Sequence, residues 1–128
     1  MSFCTAINCM DGRVQLPVIL FLKKRFEVEF VDSITAAGPI KTIAEGRNQK
    51  VIESILRRIK ISMNKHKSKG MAVVGHEDCA GNPVDKQQQM AHLKASLAFL
   101  GERYPGTEIL ALWVDGSWTV HEIPPDEL

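Results

Sequence analysis

Three residues carry the most legible chemistry in this sequence: Cys9, His76 and Cys79. His76 and Cys79 stand three apart in Gly75-His76-Glu77-Asp78-Cys79-Ala80-Gly81-Asn82-Pro83, directly after the apolar run Met71-Ala72-Val73-Val74. At a strand-to-helix turn, that spacing lets an imidazole and a thiolate point at one centre. Cys9 lies in Asn8-Cys9-Met10-Asp11-Gly12-Arg13, which also follows an apolar run. A borderline-soft ion such as zinc accepts both nitrogen and sulfur. Three protein ligands leave a fourth position for water, as in catalytic zinc sites; structural sites usually fill it with Cys or His.

No fourth soft ligand has motif spacing. Cys4 lies five residues before Cys9 on the same strand. Strand alternation puts the two side chains on opposite faces, and Cys4 about 16 Å back along the strand. It reads as a small buried hydrophobe. His66, His92 and His121 read as surface or satisfied structural histidines. Asp11 and Arg13 stand two and four residues past the first ligand. Arg13 can hold a carboxylate in a bidentate pair. Asp11 then has two options. It takes the fourth zinc position, or it pairs with Arg13 and accepts a hydrogen bond from a zinc-bound water. Glu77 and Asp78 read as solvated turn residues.

These groups need rigid elements to position them. The chain has 128 residues, enough for one domain over 1–128 with a respectable core. Sixteen basic residues against fifteen acidic give +1, which argues against a nucleic-acid or anionic-membrane partner. The longest apolar run, Leu16 to Leu22, is too short to span a bilayer, and no signal pattern precedes the first strand. The expectation is a cytoplasmic protein, where three cysteines favour metal or catalytic use over a disulfide.

Phe3 to Asn8 reads as a first strand and Gln15 to about Phe26 as a helix with Pro17 near its start. Val18 to Leu22 make that helix apolar almost all round, so it must be buried against more than one neighbour. A subunit interface is the suspect, which predicts a homodimer or an assembly of dimers. Val28 to Ile34 is a second strand, Ala36-Ala37-Gly38-Pro39 a turn, and a short helix precedes Gly46. Asn48 caps a long helix to about His66, with Val51, Ile52, Ile55, Leu56, Ile59 and Met63 on one face. A basic end with a Gly70 stop follows. Met71 to Gly75 is the third strand. A helix from about Val84 to Arg103 buries Met90, Leu93, Leu97 and Leu100. Glu108 to Val114 is the fourth strand, Asp115-Gly116 a tight turn and Ser117 to Ile123 a fifth strand.

Strands alternating with helices imply an α/β fold: a mostly parallel sheet with helices on both faces. Cys9 and His76 must meet, so strands one and three are neighbours. The predicted order is 2-1-3-4 with the last strand at the edge. The direction of winding then switches between strands one and three, which opens a crevice at their carboxyl ends. Both ligands follow those ends.

With Cys9-Met10-Asp11-Gly12-Arg13 and His76-Glu77-Asp78-Cys79 in this order, the chain resembles a compact β-class carbonic anhydrase. That family carries Cys-x-Asp-Ser-Arg and later His-x-x-Cys, with the Asp and Arg acting as a dyad. Ala37-Gly38 resembles the Ala-Gly of the family's Arg-Asn-Ala-Gly turn, and Trp113-Val114-Asp115-Gly116 sits where the family has its last strands. Gly12 stands for the usual Ser, and Thr35-Ala36 for Arg-Asn. Eight residues precede Cys9, so the N-terminal helices and upstream glutamine of larger members are expected to be missing. The resemblance implies one zinc per chain on Cys9, His76 and Cys79, and a dyad of Asp11 and Arg13. It also implies a substrate pocket at Ala37 and Gly38, dimeric assembly, and reversible hydration of carbon dioxide to bicarbonate by zinc-bound hydroxide. The alternatives are a non-catalytic zinc-binding relative and a hydrolase of carbon disulfide or carbonyl sulfide.

Overall fold

A strand covered on both faces has no solvent side, so it is apolar throughout rather than alternating. Two strands show this: β1 (Phe3–Cys9) and β3 (Met71–His76) are buried along nearly their whole length. In the computed structural model, which describes residues 1–128, they are the centre of a five-stranded sheet. The other strands are β2 (Phe30–Ala36), β4 (Ile109–Val114) and β5 (Val120–Ile123). The order is β2-β1-β3-β4-β5, parallel except for the antiparallel β5. The order required by the meeting of Cys9 with His76 is therefore the one found.

Four helices cover the sheet unevenly. Three pack on one face: α2 (Pro39–Glu45), α3 (Gln49–Asn64) and α4 (Lys86–Arg103). Their Ile40, Ile43, Ile55, Ile59, Leu93 and Leu100 close over Ile7, Ile34, Met71 and Val73. The other face has α1 (Gln15–Arg25) alone, with Val18 and Leu22 set against Cys4, Ala6, Ala72, Val74 and Leu112. Within one chain, α1 buries only those two residues, and Leu16 and Leu20 stay exposed. The all-round burial expected of this helix is not supplied by its own chain.

Several expected boundaries shift. β2 begins at Phe30 rather than Val28, because a turn at Glu27, with φ of 53°, precedes it. The β4–β5 connection is not a tight two-residue turn. It is a loop over 115–119, and β5 starts only at Val120. The Asp115 carboxylate accepts from the N–H groups of Ser117 and Thr119, so the side chain organises backbone that was expected to be strand. Gly70 does not stop α3, which ends at Asn64. It lets the Phe26 ring lie against the backbone, where any Cβ would collide with the ring. Cys4 and Cys9 do not divide between the faces; both belong to the core on the α1 side. Cys9 is the last residue of β1, where its sulfur reaches across the strand end to Cys79.

The N-cap at Asn48 is as expected, with its side chain accepting from the Val51 N–H at 3.2 Å. One buried position of α3 breaks the apolar pattern. Ser62 Oγ donates to Asp32 Oδ2 at 2.7 Å, and the Thr5 and Ser68 hydroxyls lie 2.6 and 2.7 Å from it. A hydroxyl has one proton to give and two lone pairs to accept with, so this cluster is fully satisfied. Ser62→Ala leaves two buried hydroxyls short of a partner. It is expected to lower unfolding stability by about 1–3 kcal/mol in urea titrations.

Candidate metal centre

Parallel pairing of β1 with β3 puts their carboxyl ends side by side. Cys9 ends the first strand and His76 ends the second. Cys79 returns to them from the turn that follows. The three donor atoms lie within 4.8 Å of one another, and all three residues are buried. The two sulfurs are 3.8 Å apart. Two sulfurs bound at about 2.3 Å to one tetrahedral zinc would be about 3.8 Å apart.

The imidazole is oriented for the same centre. His76 Nδ1 lies 2.8 Å from the Glu77 carbonyl, which can only accept. The ring proton therefore sits on Nδ1, and Nε2 carries the free lone pair. That Nε2 is buried and makes no hydrogen bond. Gln89 of α4 grips the backbone of the same residue: its Oε1 accepts from His76 N–H at 3.1 Å and its Nε2 donates to His76 O at 2.7 Å.

Each sulfur also meets two backbone N–H groups. Those of Gly38 and Asp11 point at Cys9, and those of Gly81 and Asn82 at Cys79. Burial pushes the Cys9 thiol up, and the N–H groups of Gly38 and Asp11 oppose it. Burial and the neighbouring Cys9 charge raise Cys79 to about 11. Burial and mutual repulsion thus keep protons on the pair until a cation makes two thiolates favourable. A divalent, sulfur-accepting ion fits this donor set.

The N–H of Gly38 reaches Cys9 because two backbones touch. Gly38 adopts φ of +56°, and a Cβ there would stand 2.7 Å from the carbonyl of Gly81. A Cβ on Gly81 would stand 2.7 Å from Gly38 N. Only glycine permits both the left-handed turn and the contact.

Asp11 and Arg13 stand beside the donors. Asp11 opens a 3-10 turn over Gly12–Val14, with its Oδ1 accepting from the Arg13 N–H at 2.9 Å. Arg13 Nη2 donates to Asp11 Oδ2 at 2.7 Å and Nε to Oδ1 at 3.1 Å, the bidentate pair expected from the spacing. Those hydrogen bonds hold the Asp11 carboxyl down, to about 2. Asp78 lies in the turn and is largely exposed, as expected, and it also meets Arg13. Its carboxylate accepts from Arg13 Nη1 at 3.2 Å and its carbonyl from Nη2 at 3.1 Å.

Cys9, Met10, Asp11, Ala37, Ala80 and Gly81 line a cavity of about 190 Å³. Of the two turn residues expected in a substrate pocket, Ala37 lines it. Gly38 lies behind it, against Gly81, with its N–H on the sulfur. A larger cavity of about 470 Å³ beside Trp113 and His121 holds no comparable donor set. The other histidines have partners: His66 with Asp32, His92 with Asn82 and His121 with Asp115. Sequence reasoning missed Gln89, Asp78 and Gly81. Only Gln89 left a signal, as a polar residue four before Leu93 on the buried face of α4.

The family described as "Putative carbonic anhydrase" matches residues 1–124. The chain belongs to that family. No curated protein matches the sequence. Among solved structures, the carbonic anhydrase from Glaciozyma antarctica is similar, with TM-score 0.54 and 18% identity over 94% of this chain and 81% of that one. One of two tetrameric β-carbonic anhydrases from Sordaria macrospora gives 0.56 and 11% over 94% and 79%. The β-carbonic anhydrase CafA of Aspergillus fumigatus gives 0.54 and 11% over 95% and 75%. At such identities the likeness shows the fold, which is that of the β-carbonic anhydrases.

Gly81→Ala tests the sulfur cradle of this carbonic anhydrase-like centre. The new methyl must displace the Ala37-Gly38 turn and withdraw an N–H from Cys9. Zinc affinity, measured against a chromogenic chelator, is expected to fall roughly 10- to 100-fold.

Proposed function

We propose that the chain is a zinc-dependent carbonic anhydrase, hydrating carbon dioxide reversibly to bicarbonate. The observation that carries the reading is the orphaned Nε2 of His76, buried and turned toward two sulfurs 3.8 Å apart. Cys9, His76 and Cys79 would hold one zinc per chain. Bound there, zinc supplies positive charge that lowers the pKa of a water to roughly 7.

The chain's own residues do the rest. Asp11 stays ionised at neutral pH because Arg13 holds it, so it is an acceptor only. It would accept a hydrogen bond from a water held at the centre and so orient it. The Asp11–Arg13 contacts favour this option over Asp11 as a fourth zinc ligand. Met10, Ala37 and Ala80 give the cavity apolar walls suited to a small linear molecule without charge. Carbon disulfide and carbonyl sulfide share that shape, so substrate choice is left to assay.

The exposed Leu16 and Leu20 of α1 support a homodimer or an assembly of dimers, and the Sordaria enzymes are described as tetrameric. Two thiols at this distance also suit a reducing cytoplasm, since oxidation would join them. Sedimentation at micromolar concentration is expected to give a dimer or a multiple of it, and a monomer overturns that assignment.

Zinc-loaded protein is expected to carry about one zinc per chain and to hydrate carbon dioxide in stopped flow. Cys79→Ala loses both. Arg13→Ala still loads about one zinc per chain at saturating metal and loses roughly 10- to 100-fold in rate, because Asp11 is no longer held in place. Full zinc with no hydration in the wild type means a non-catalytic zinc protein, or a carbon disulfide or carbonyl sulfide hydrolase if only those turn over.

A further inference from the structure

Arg13 is half-exposed, and an exposed arginine beside carboxylates usually moves freely between partners. Here its planar group has partners along its polar edges and on one face. Asp11 takes Nε and one edge of Nη2, while Asp78 takes Nη1 and the rest of Nη2. The flat face lies 4.5 Å from the ring of Trp118, in the β4–β5 loop.

Both of these further partners adopt a left-handed backbone, which a side chain as bulky as Trp disfavours. Asp78 has φ of 57° and Trp118 has φ of 61°. They are two of only four non-glycine residues in the left-handed region, and both touch one guanidinium. For a residue as bulky as Trp that conformation persists only when its surroundings impose it. Asp115 does so: its Oδ1 accepts from the N–H groups on either side, at Ser117 (2.9 Å) and Thr119 (3.0 Å), and its carbonyl accepts from Trp118 N–H at 2.9 Å. His121 Nε2, 2.7 Å from Oδ2, braces the same carboxylate. The end of β4, where the loop begins, is bonded to the ligand turn, since Glu77 N–H donates to Val114 O at 2.9 Å.

We propose that Trp118 and Asp78 are positioning residues that clamp the Arg13 guanidinium, Trp118 on its face and Asp78 on its edge, and so hold Asp11 in its orientation toward the reacting centre. The proposal rests on the reading of Asp11 and Arg13 as the working pair. It makes the β4–β5 loop part of the catalytic apparatus although none of its residues lines the cavity. Asp78 keeps Arg13 tied to the ligand turn independently of Asp11. The clamp therefore differs from a simple ion pair, in which Arg13 would have no second anchor.

The test reads Arg13 directly. In 15N-labelled, zinc-loaded protein, the Arg13 Nε–H resonance is assigned by its loss in Arg13→Lys. Stacking on the indole predicts a ring-current-shifted, slowly exchanging signal. Trp118→Leu keeps apolar bulk and removes the π face. It is expected to move that signal toward the position of a free arginine, speed its exchange, and lower kcat about two- to thirtyfold with KM and zinc content retained. Trp118→Phe should restore most of the shift and the rate. Asp78→Asn, which tolerates the left-handed backbone, is expected to speed Nη exchange and lower kcat in the same sense. If Trp118→Leu leaves the Arg13 signal where it was, Trp118 is only packing and the clamp is wrong, whatever happens to rate or melting temperature. An inactive wild type with the shifted signal would overturn the carbonic anhydrase reading and leave the clamp standing.

Discussion

Two thiolates 3.8 Å apart repel each other, and the structure around them is arranged to make that pair tolerable. At about 4 Å the repulsion is about 4 kcal/mol even at an effective dielectric constant near 20. Four backbone N–H groups, two on each sulfur, offset part of it. The remainder calls for a cation, and the lone pair of His76 Nε2 faces the place where one would sit. This requirement reaches far into the fold. The Gly38 N–H arrives at the Cys9 sulfur only because the turn after β2 and the turn after β3 touch through Gly38 and Gly81. Those turns meet only because β1 lies between β2 and β3, with all three strands running the same way.

That chain of dependence explains what was legible in the sequence. Cys9 and His76 each follow an apolar run, and requiring them to meet was enough to order four strands. The helix faces of α3 and α4 were readable from periodicity. The β4–β5 loop was not. Ser117 to Thr119 carry β-forming residues, and only the Asp115 side chain, by capping two N–H groups, turns that segment into a loop. The contact of Asp78 with Arg13 was hidden for a related reason. A carboxylate in a turn is solvated by default, and the arginine that claims it lies 65 residues away. Ser62 is the same lesson inside the core. A polar residue on a buried helix face was silent because its partners Thr5, Asp32 and Ser68 come from three other segments.

The uneven cover of the sheet has a physical reading of its own. Three helices bury one face, and α1 alone buries part of the other. The apolar surplus on α1 was visible in the sequence, but its destination was not, because one chain has no element left to cover it. Leu16 and Leu20 lie on the helix that follows the Cys9 segment directly, and Met10, also exposed, lines the cavity. Surface that covers α1 would therefore lie close to the mouth of the site. Any such cover would tie packing on α1 to access to the cavity, even though no cavity-lining residue belongs to α1 itself.

The same contacts preorganise the site. A metal site formed by two separate loops must hold them together before the ion arrives, or the ordering cost falls on binding. Here Arg13 spans the gap. Through Asp11 it is fixed to the Cys9 segment, and through Asp78 to the turn that carries His76 and Cys79. Gln15 ties the first segment again, donating to the Cys9 and Asp11 carbonyls at 2.7 and 2.8 Å. Gln89 fixes the second from α4. An exposed ion pair has small energetic value taken alone. This one closes a ring of contacts that runs from β1 through Arg13 to β3 and back across the paired strands. Its worth lies in removing freedom from both ligand segments at once, and that depends on geometry more than on charge.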